Sequence, residues 1–348
     1  AAAEKLFYKT ICKLADDGNR CVVIISGNHD NPERLSAITP LAEEMGILVF
    51  GYPLSKTTEA KYKGFEITQA LEGCTKLNIN GEKVTLITLP YPSEKRLNEV
   101  IKGDTEREQQ ISYSKKVGDL FRKLEENFEE DSINIAVSHL FVVGGESTES
   151  ERPIELGGSL LVQKSDLPQN SQYTALGHLH KPQKASERLN AYYSGSPIQY
   201  SKSERVYSKG AKIVEVHPGE DAIIEDIYFK NYKPIEVFKC KGIEEAINIC
   251  EENKDKNIWS YFEIVTDEVI NQKNIKTMKS LLKDIIEIKP IINQSYEYEH
   301  VDMREKTMKE LFVEYYKFRN KVEPKGELLD LFLQIVEEEG DDNWDQLD

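Results

Sequence analysis

The chain has 348 residues and a formal net charge of −16, from 45 Lys and Arg against 61 Asp and Glu. A hydrophobic fraction of 39%, with 12 Phe and 17 Tyr along the whole length, excludes a disordered chain and suffices for a large core or about two domains. No aliphatic run approaches bilayer length, and the acidic balance excludes a basic nucleic-acid module, so a phosphate-bearing partner must meet a local site. The five cysteines (Cys12, Cys21, Cys74, Cys240 and Cys250) form no Cys-x-x-Cys pair and read as reduced thiols of a cytosolic protein.

Residues 2–16 have helical spacing, ended by Gly18-Asn19. Residues 21–25 are wholly apolar and β-branched in majority, the pattern of a strand buried on both faces. Ser26-Gly27-Asn28-His29-Asp30 follows at once, and Asn31-Pro32 can cap and open the next helix. Strands are predicted over 47–50, 64–68, 76–79 and 84–89, then a break at Pro90-Tyr91-Pro92 and a long polar helix over 105–127. Two more buried-strand runs, 133–137 and 173–176, end in Ser138-His139 and Gly177-His178-Leu179-His180. A strand from Ala191 meets the Ser194-Gly195-Ser196-Pro197 turn, and 212–216 and 223–229 read as closing strands. Beyond Tyr232-Lys233-Pro234 comes a small α/β unit: strand 235–239, helix 243–252, strand 260–265, helix 274–284 and strand 291–296. Thr307-Met308-Lys309-Glu310 fits a capping box, and helices over 308–319 and 326–338 flank Val322-Glu323-Pro324 before an acidic tail.

Three apolar strands thus end in histidine: His29, His139, and the pair His178 and His180. Strand ends of one α/β sheet converge on one edge, so these side chains can meet in a cleft. Two residues apart on an extended segment, His178 and His180 share a face. Neutral imidazoles with the oxygen of Asn28 suit Mn²⁺ or Fe²⁺ better than a Cys-rich zinc site. A single buried histidine is more often a hydrogen-bonded structural residue than a ligand, and the weight lies on the three together. His217 and His300 read as surface or structural.

Gly27-Asn28-His29-Asp30, Ser138-His139 and Gly177-His178-Leu179-His180 resemble the latter part of the calcineurin-like metallophosphoesterase signature. The Asn-Pro-Glu-Arg-Leu continuation, Ser194 to Gln199, the small α/β unit and the helical pair narrow the resemblance to the SbcD family. The resemblance implies a metallophosphoesterase β-sandwich flanked by helices over 1–231, an α/β capping domain over 232–300, and a helical SbcC-binding segment with an acidic tail over 301–348. It implies two Mn²⁺ ions, one held by Asn28, His139 and His178, the other by His180. His29 would act at the scissile phosphate as general acid or transition-state stabiliser, and Asp30 would orient it through a hydrogen bond. The activity implied is DNA double-strand-break processing, as an ATP-regulated 3'–5' double-strand exonuclease and single-strand or hairpin endonuclease. The partners implied are DNA, an SbcC-type ATPase bound through the C-terminal helices, and a second copy in a heterotetramer, with no membrane.

One departure bears on activity. The superfamily's Asp-x-His and Gly-Asp-x-x-Asp strand ends do not occur in these 348 residues. The resemblance puts them upstream of the helical pattern entered at Ala1. The expectation is therefore an N-terminally truncated member, lacking two strands of its central sheet and inactive alone. The alternatives are a phosphoesterase of the same fold acting on another phosphodiester or a phosphoprotein, or a non-catalytic scaffold for DNA and SbcC. Lys115, Lys116, Lys181, Lys202, Arg205, Lys209 and Lys212 could contact DNA phosphates, though a solvated charge is the simpler reading of each. Residues 144–152 read as a flexible loop beside the cleft.

Overall fold

The computed structural model describes residues 2–98, 105–151, 160–266, 270–292 and 308–320, together with 324, 326, 328–329 and 331–333. Helix α1 (Ala2–Ala15) turns into β1 (Val22–Ile25), and two short helices, α2 (Pro32–Ser36) and α3 (Thr39–Glu43), lead to β2 (Ile47–Phe50). The Asn31 side chain caps α2 by accepting from Arg34 N–H at 2.9 Å, as the Asn-Pro pair predicts. A meander follows through β3 (Ala60–Lys61), β4 (Phe65–Leu71), β5 (Cys74–Ile79) and β6 (Glu82–Leu89). Helices α4 (Glu94–Leu97) and α5 (Glu106–Glu125) carry the chain to β7 (Ile133–His139) and β8 (Phe141–Val142). Then come β9 (Leu161–Val162), β10 (Tyr173–Gly177), β11 (Gln183–Lys184) and β12 (Ala191–Tyr193). The hairpin β13 (Gly210–Glu215) and β14 (Ile223–Tyr228) precedes β15 (Ile235–Cys240), α6 (Ile243–Glu252), β16 (Trp259–Thr266), α7 (Gln272–Leu281) and β17 (Ile285–Ile292). Helix α8 (Met308–Asn320) lies in a second compact unit, Ile292–Asp348, apart from Ala1–Ile291.

The main sheet has eight strands in the order β11-β12-β10-β7-β6-β5-β4-β3. Strands β6, β7, β10 and β12 run parallel, and the flanking strands are antiparallel. Strands β1 and β2 form a separate parallel pair. Side-chain alternation explains the layering, because successive residues of a strand face opposite ways. Val23 and Ile25 of β1 and Leu48 and Phe50 of β2 pack with Ile67, Leu77, Leu86 and Ile133 of the main sheet. Their neighbours Val22, Ile24, Ile47 and Val49 face Ile11 and Ala15 of α1 and Ala42 of α3. On the far side of the main sheet, Ile87, Leu89, Ala136 and Leu176 pack with Tyr113, Val117, Phe121 and Leu124 of α5. The order is helices, small sheet, large sheet, helix. A bulge between Ile67 and Gln69 shifts β4 by one residue, so Ala70 joins Phe65 and Ile67 on one face.

Several elements depart from expectation. Strand β1 is half-buried because it hydrogen-bonds to β2 alone among the described residues. The two expected closing strands form an independent hairpin, β13-β14, outside the main sheet. Strand β17 starts at Ile285, immediately after α7, where the sequence suggested 291. Leu282 is already extended and Asp284 has φ +59°, so the helix stops early and the run Ile285-Ile286-Glu287-Ile288 takes the strand. Pro290 is tolerated there because β17 lies at the edge of its three-stranded sheet. That sheet and helices α6 and α7 enclose their own core of Phe262, Ile264, Ala246, Cys250 and Met278. Within the second unit, Phe312 of α8 stacks on Phe332 with ring centroids 4.0 Å apart. Thr307, His300 and residues 293–296 and 334–338, on which predicted features fall, lie outside the described residues.

Candidate metal centre

The loop after β1 and the ends of β7 and β10 meet. Asn28 Oδ1 lies 3.0 Å from His139 Nε2. The His139 and His178 rings are edge-on, with centroids 5.4 Å apart. Tyr91 and Phe141 close the sides, at 6.0 Å from His139 and 5.4 Å from His178. The meeting point is not one sheet edge, as expected, but the seam between two sheets: β1 belongs to the small sheet, and β7 and β10 are neighbours in the large one.

Two glycines make the approach possible. A Cβ on Gly27 would stand 2.6 Å from His139 Cε1, and one on Gly177 would stand 2.8 Å from His139 Nδ1. Both are closer than real side chains come, so the imidazole fills the space that side chains at 27 and 177 would occupy. The chain leaves β10 at Gly177, and His178 takes φ +118°, a conformation rare for a side-chain-bearing residue. His178 and His180 therefore do not share a strand face. His178 turns to His139, while His180 packs on Tyr200 at 5.2 Å and sets Nδ1 2.5 Å from Ser150 Oγ.

Burial, with smaller contributions from the neighbouring His178 and Arg96 charges, pushes the His139 imidazole down to about 3. Burial likewise lowers His178 to about 4. Both rings are neutral at pH 7 and keep a lone pair. His178 Nε2 is buried and has no hydrogen-bond partner among the described residues. Orphaned ring nitrogens are costly, about 1–3 kcal/mol, and they call for a ligand. Two neutral nitrogens and an amide oxygen are a donor set for a borderline divalent cation such as Mn²⁺ or Fe²⁺, so the residues fit that group. No three His, Cys, Asp or Glu side chains form a metal-sized cluster among the described residues, so Asn28 has to complete the set.

His29 is exposed at the loop. The expected His29–Asp30 hydrogen bond is not formed. Asp30 Oδ2 instead accepts from Gly27 N–H at 2.7 Å, because its short side chain closes the turn on itself. Arg96, which carries no motif of its own, straps the same loop. Its guanidinium donates to Ser26 Oγ at 3.0 Å and Asp30 O at 2.8 Å and lies over the Tyr91 ring.

A scan against protein-family models finds no match. The chain is 38% identical over 348 residues to the SbcD subunit of the nuclease SbcCD from Bacillus subtilis (strain 168), covering 97% of this chain and 85% of that protein. The chain belongs to the SbcD family of nuclease subunits. Its mixed α/β architecture with one large mixed sheet fits the metallophosphoesterase-like fold that the sequence implied for an SbcD-type chain. No helix among the described residues is long and apolar enough to cross a membrane.

Sequence patterns of this SbcD-family chain also give no hint of Glu204, which lies fully buried in a short 3-10 turn, Lys202–Val206. Burial works against its ionisation, but the His180 ring, with Nδ1 3.7 Å from Oε1, and hydrogen bonds from Lys209 and Ser150 outweigh it and hold the carboxyl well below the usual range. Lys209 is therefore no DNA contact: its buried ammonium pairs with Glu204. Lys181, Lys202 and Lys212 are paired with Glu146, Glu287 and Asp226. The loop before residue 152 is pinned, not loose: Glu151 Oε1 accepts from His180 N–H at 2.7 Å, and its other oxygen accepts from Thr148. No local pattern marks Glu204, Glu151 or Arg96, because each also binds residues far away in sequence: Ser150, His180 and Asp30 in turn.

Proposed function

We propose that this chain is the nuclease subunit of an SbcCD-type complex, hydrolysing DNA phosphodiester bonds at double-strand ends and hairpins under ATP-dependent control by SbcC. The observation that carries this reading is the buried, unpartnered His178 Nε2 beside His139 and Asn28, in a chain of the SbcD family. Asn28 Oδ1, His139 and His178 would hold one divalent cation, Mn²⁺ by preference, and His180 would contribute to a second. When bound, such cations supply Lewis-acid neutralisation of phosphate charge and a nucleophilic water at neutral pH. The protein's own part is positional. Gly27 and Gly177 keep the floor of the site open, Tyr91 and Phe141 restrict water, and Arg96 fixes the loop that presents Asn28 and His29. His29, exposed at that loop, would donate a proton to the leaving oxygen, a role suited to an imidazole.

The domain plan goes with this reading: nuclease domain 1–231, capping domain 232–300 and SbcC-binding helices 301–348, with two copies in the assembly. Tyr315, Leu328 and Leu331 are exposed apolar residues of that last segment and suit docking of a helix face into a groove of SbcC. Because the Asp-x-His and Gly-Asp-x-x-Asp motifs do not occur in these 348 residues, the chain alone should hold one cation weakly and cut DNA little.

Calorimetric titration with Mn²⁺ tests the site. One weak binding event is expected, lost in His178→Ala with the melting temperature unchanged or raised. Binding that survives in both His178→Ala and His139→Ala would remove the metal assignment. A second assay uses linear duplex DNA with SbcC and this chain fused behind strands bearing the two motifs. Mn²⁺-dependent degradation there, abolished by His29→Ala, is expected. Binding without cutting would favour the scaffold reading.

A further inference from the structure

His180 is held by atoms that leave it one arrangement. Glu204 and Lys209 form a buried ion pair behind it. The Lys209 ammonium also donates to His180 C=O at 2.8 Å and to Ser196 Oγ at 2.7 Å. Glu151 takes the His180 N–H. Ser150 Oγ sits between the other Glu204 oxygen and His180 Nδ1, hydrogen-bonded to both; its third neighbour, Thr148 Oγ1 at 2.9 Å, sends its own proton to Glu151 and is no match as an acceptor for the Glu204 carboxylate.

The proton positions follow from the chemistry of the groups. A carboxylate accepts and never donates. The single Ser150 hydroxyl proton must therefore point to Glu204 Oε1. Ser150 Oγ is then left as an acceptor toward the ring, so His180 Nδ1 carries the proton. In a neutral imidazole that puts the lone pair on Nε2. Nε2 is also the one polar atom of His180 without a hydrogen bond among the described residues.

We propose that Glu204, Ser150 and Lys209 are positioning residues that lock His180 in the Nδ1–H tautomer, with its Nε2 lone pair offered to the cleft. The purpose of the lock rests on the reading of His180 as a ligand under Proposed function. The tautomer itself rests only on the relay.

The test is long-range ¹H–¹⁵N correlation on histidine-labelled full chain without metal, at about pH 8, above the ordinary imidazole pKa of about 6.5. His180→Gln assigns the resonances. The expected wild-type pattern is Nδ1–H. Ser150→Ala should give a mixed or Nε2–H pattern, and Ser150→Thr should restore the original. Because a glutamine at 204 would keep an oxygen able to accept from Ser150 and would strand the buried Lys209 ammonium, the double variant Glu204→Leu/Lys209→Met is measured and should also lose the pattern. A residue with only a structural role would change the melting temperature and leave the tautomer alone. An Nε2–H pattern in the wild type, or an Nδ1–H pattern surviving in Ser150→Ala, overturns the proposal. Mn²⁺ added to the same samples reads the ligand role separately. Paramagnetic broadening at His180 should need about 10–100-fold more Mn²⁺ in Ser150→Ala than in the wild type. No broadening at any histidine would count against the metal reading, while the tautomer result stands on its own.

Discussion

Two imidazoles buried side by side make this protein sensitive to acid. Unfolded, each takes up a proton near pH 6.5. Folded, His139 does so only near 3 and His178 near 4, chiefly because burial penalises the charged ring. Between these values the unfolded chain binds more protons than the folded one. The stability contribution is therefore complete above about 6.5 and is lost as pH falls toward 4 and then 3. The limiting slope is about 1.4 kcal/mol per pH unit for each ring. Metal-free protein should thus show a denaturation midpoint that falls steadily from about pH 7 to 4.5. His139→Gln, which removes one titrating ring, should flatten that slope whatever it does to absolute stability. Parallel curves for wild type and variant would mean that the proton uptake lies elsewhere.

At the level of elements, the site depends on how closely a loop can approach a strand end. Gly27 stands where any Cβ would press on the His139 ring at 2.6 Å, and a Cβ on Gly177 would press on the same ring at 2.8 Å. Gly27→Ala should cost about 1–3 kcal/mol by overpacking, read as a lower urea midpoint, and should weaken Mn²⁺ binding in the same variant. An unchanged midpoint would show that the imidazole moves aside freely. This tightness also bears on what could be read from residues alone. Buried-strand runs ending near His139 and His178 announced both strands, because a strand buried by neighbours leaves a short run poor in charge. Three things were not legible. His178 leaves the strand with φ +118°, so strand spacing misplaced His180 relative to it. Thr105 and Glu108 form a capping box on α5 that a polar sequence hides among similar residues. Glu204 is marked only by its partners Ser150, Ser196 and Lys209, which the fold gathers around it.

For the molecule as a whole, a net charge of −16 sets the terms on which DNA can be met. Lys181, Lys202, Lys209 and Lys212 are engaged in ion pairs within the chain, so under the proposed function a local site, not the net field, would have to attract phosphate. The partner segment follows a different logic. Among the described residues, the four hydrophobic cores lie between Ile11 and Ile288, inside the Ala1–Ile291 unit. The second unit has the Phe312–Phe332 stack, with Tyr315, Leu328 and Leu331 left exposed. Apolar side chains in that setting gain free energy by burial against a partner, about 25 cal/mol per Å² removed from water. Deleting 301–348 should then leave the melting temperature of the remainder within a few degrees and abolish co-elution with an SbcC-type ATPase. Leu331→Asp in the full chain should weaken that association at least about tenfold, since burying one unpaired carboxylate costs more than about 1.4 kcal/mol. If the shortened chain still co-elutes with the ATPase, the docking surface lies within residues 1–300 and the helices serve another purpose.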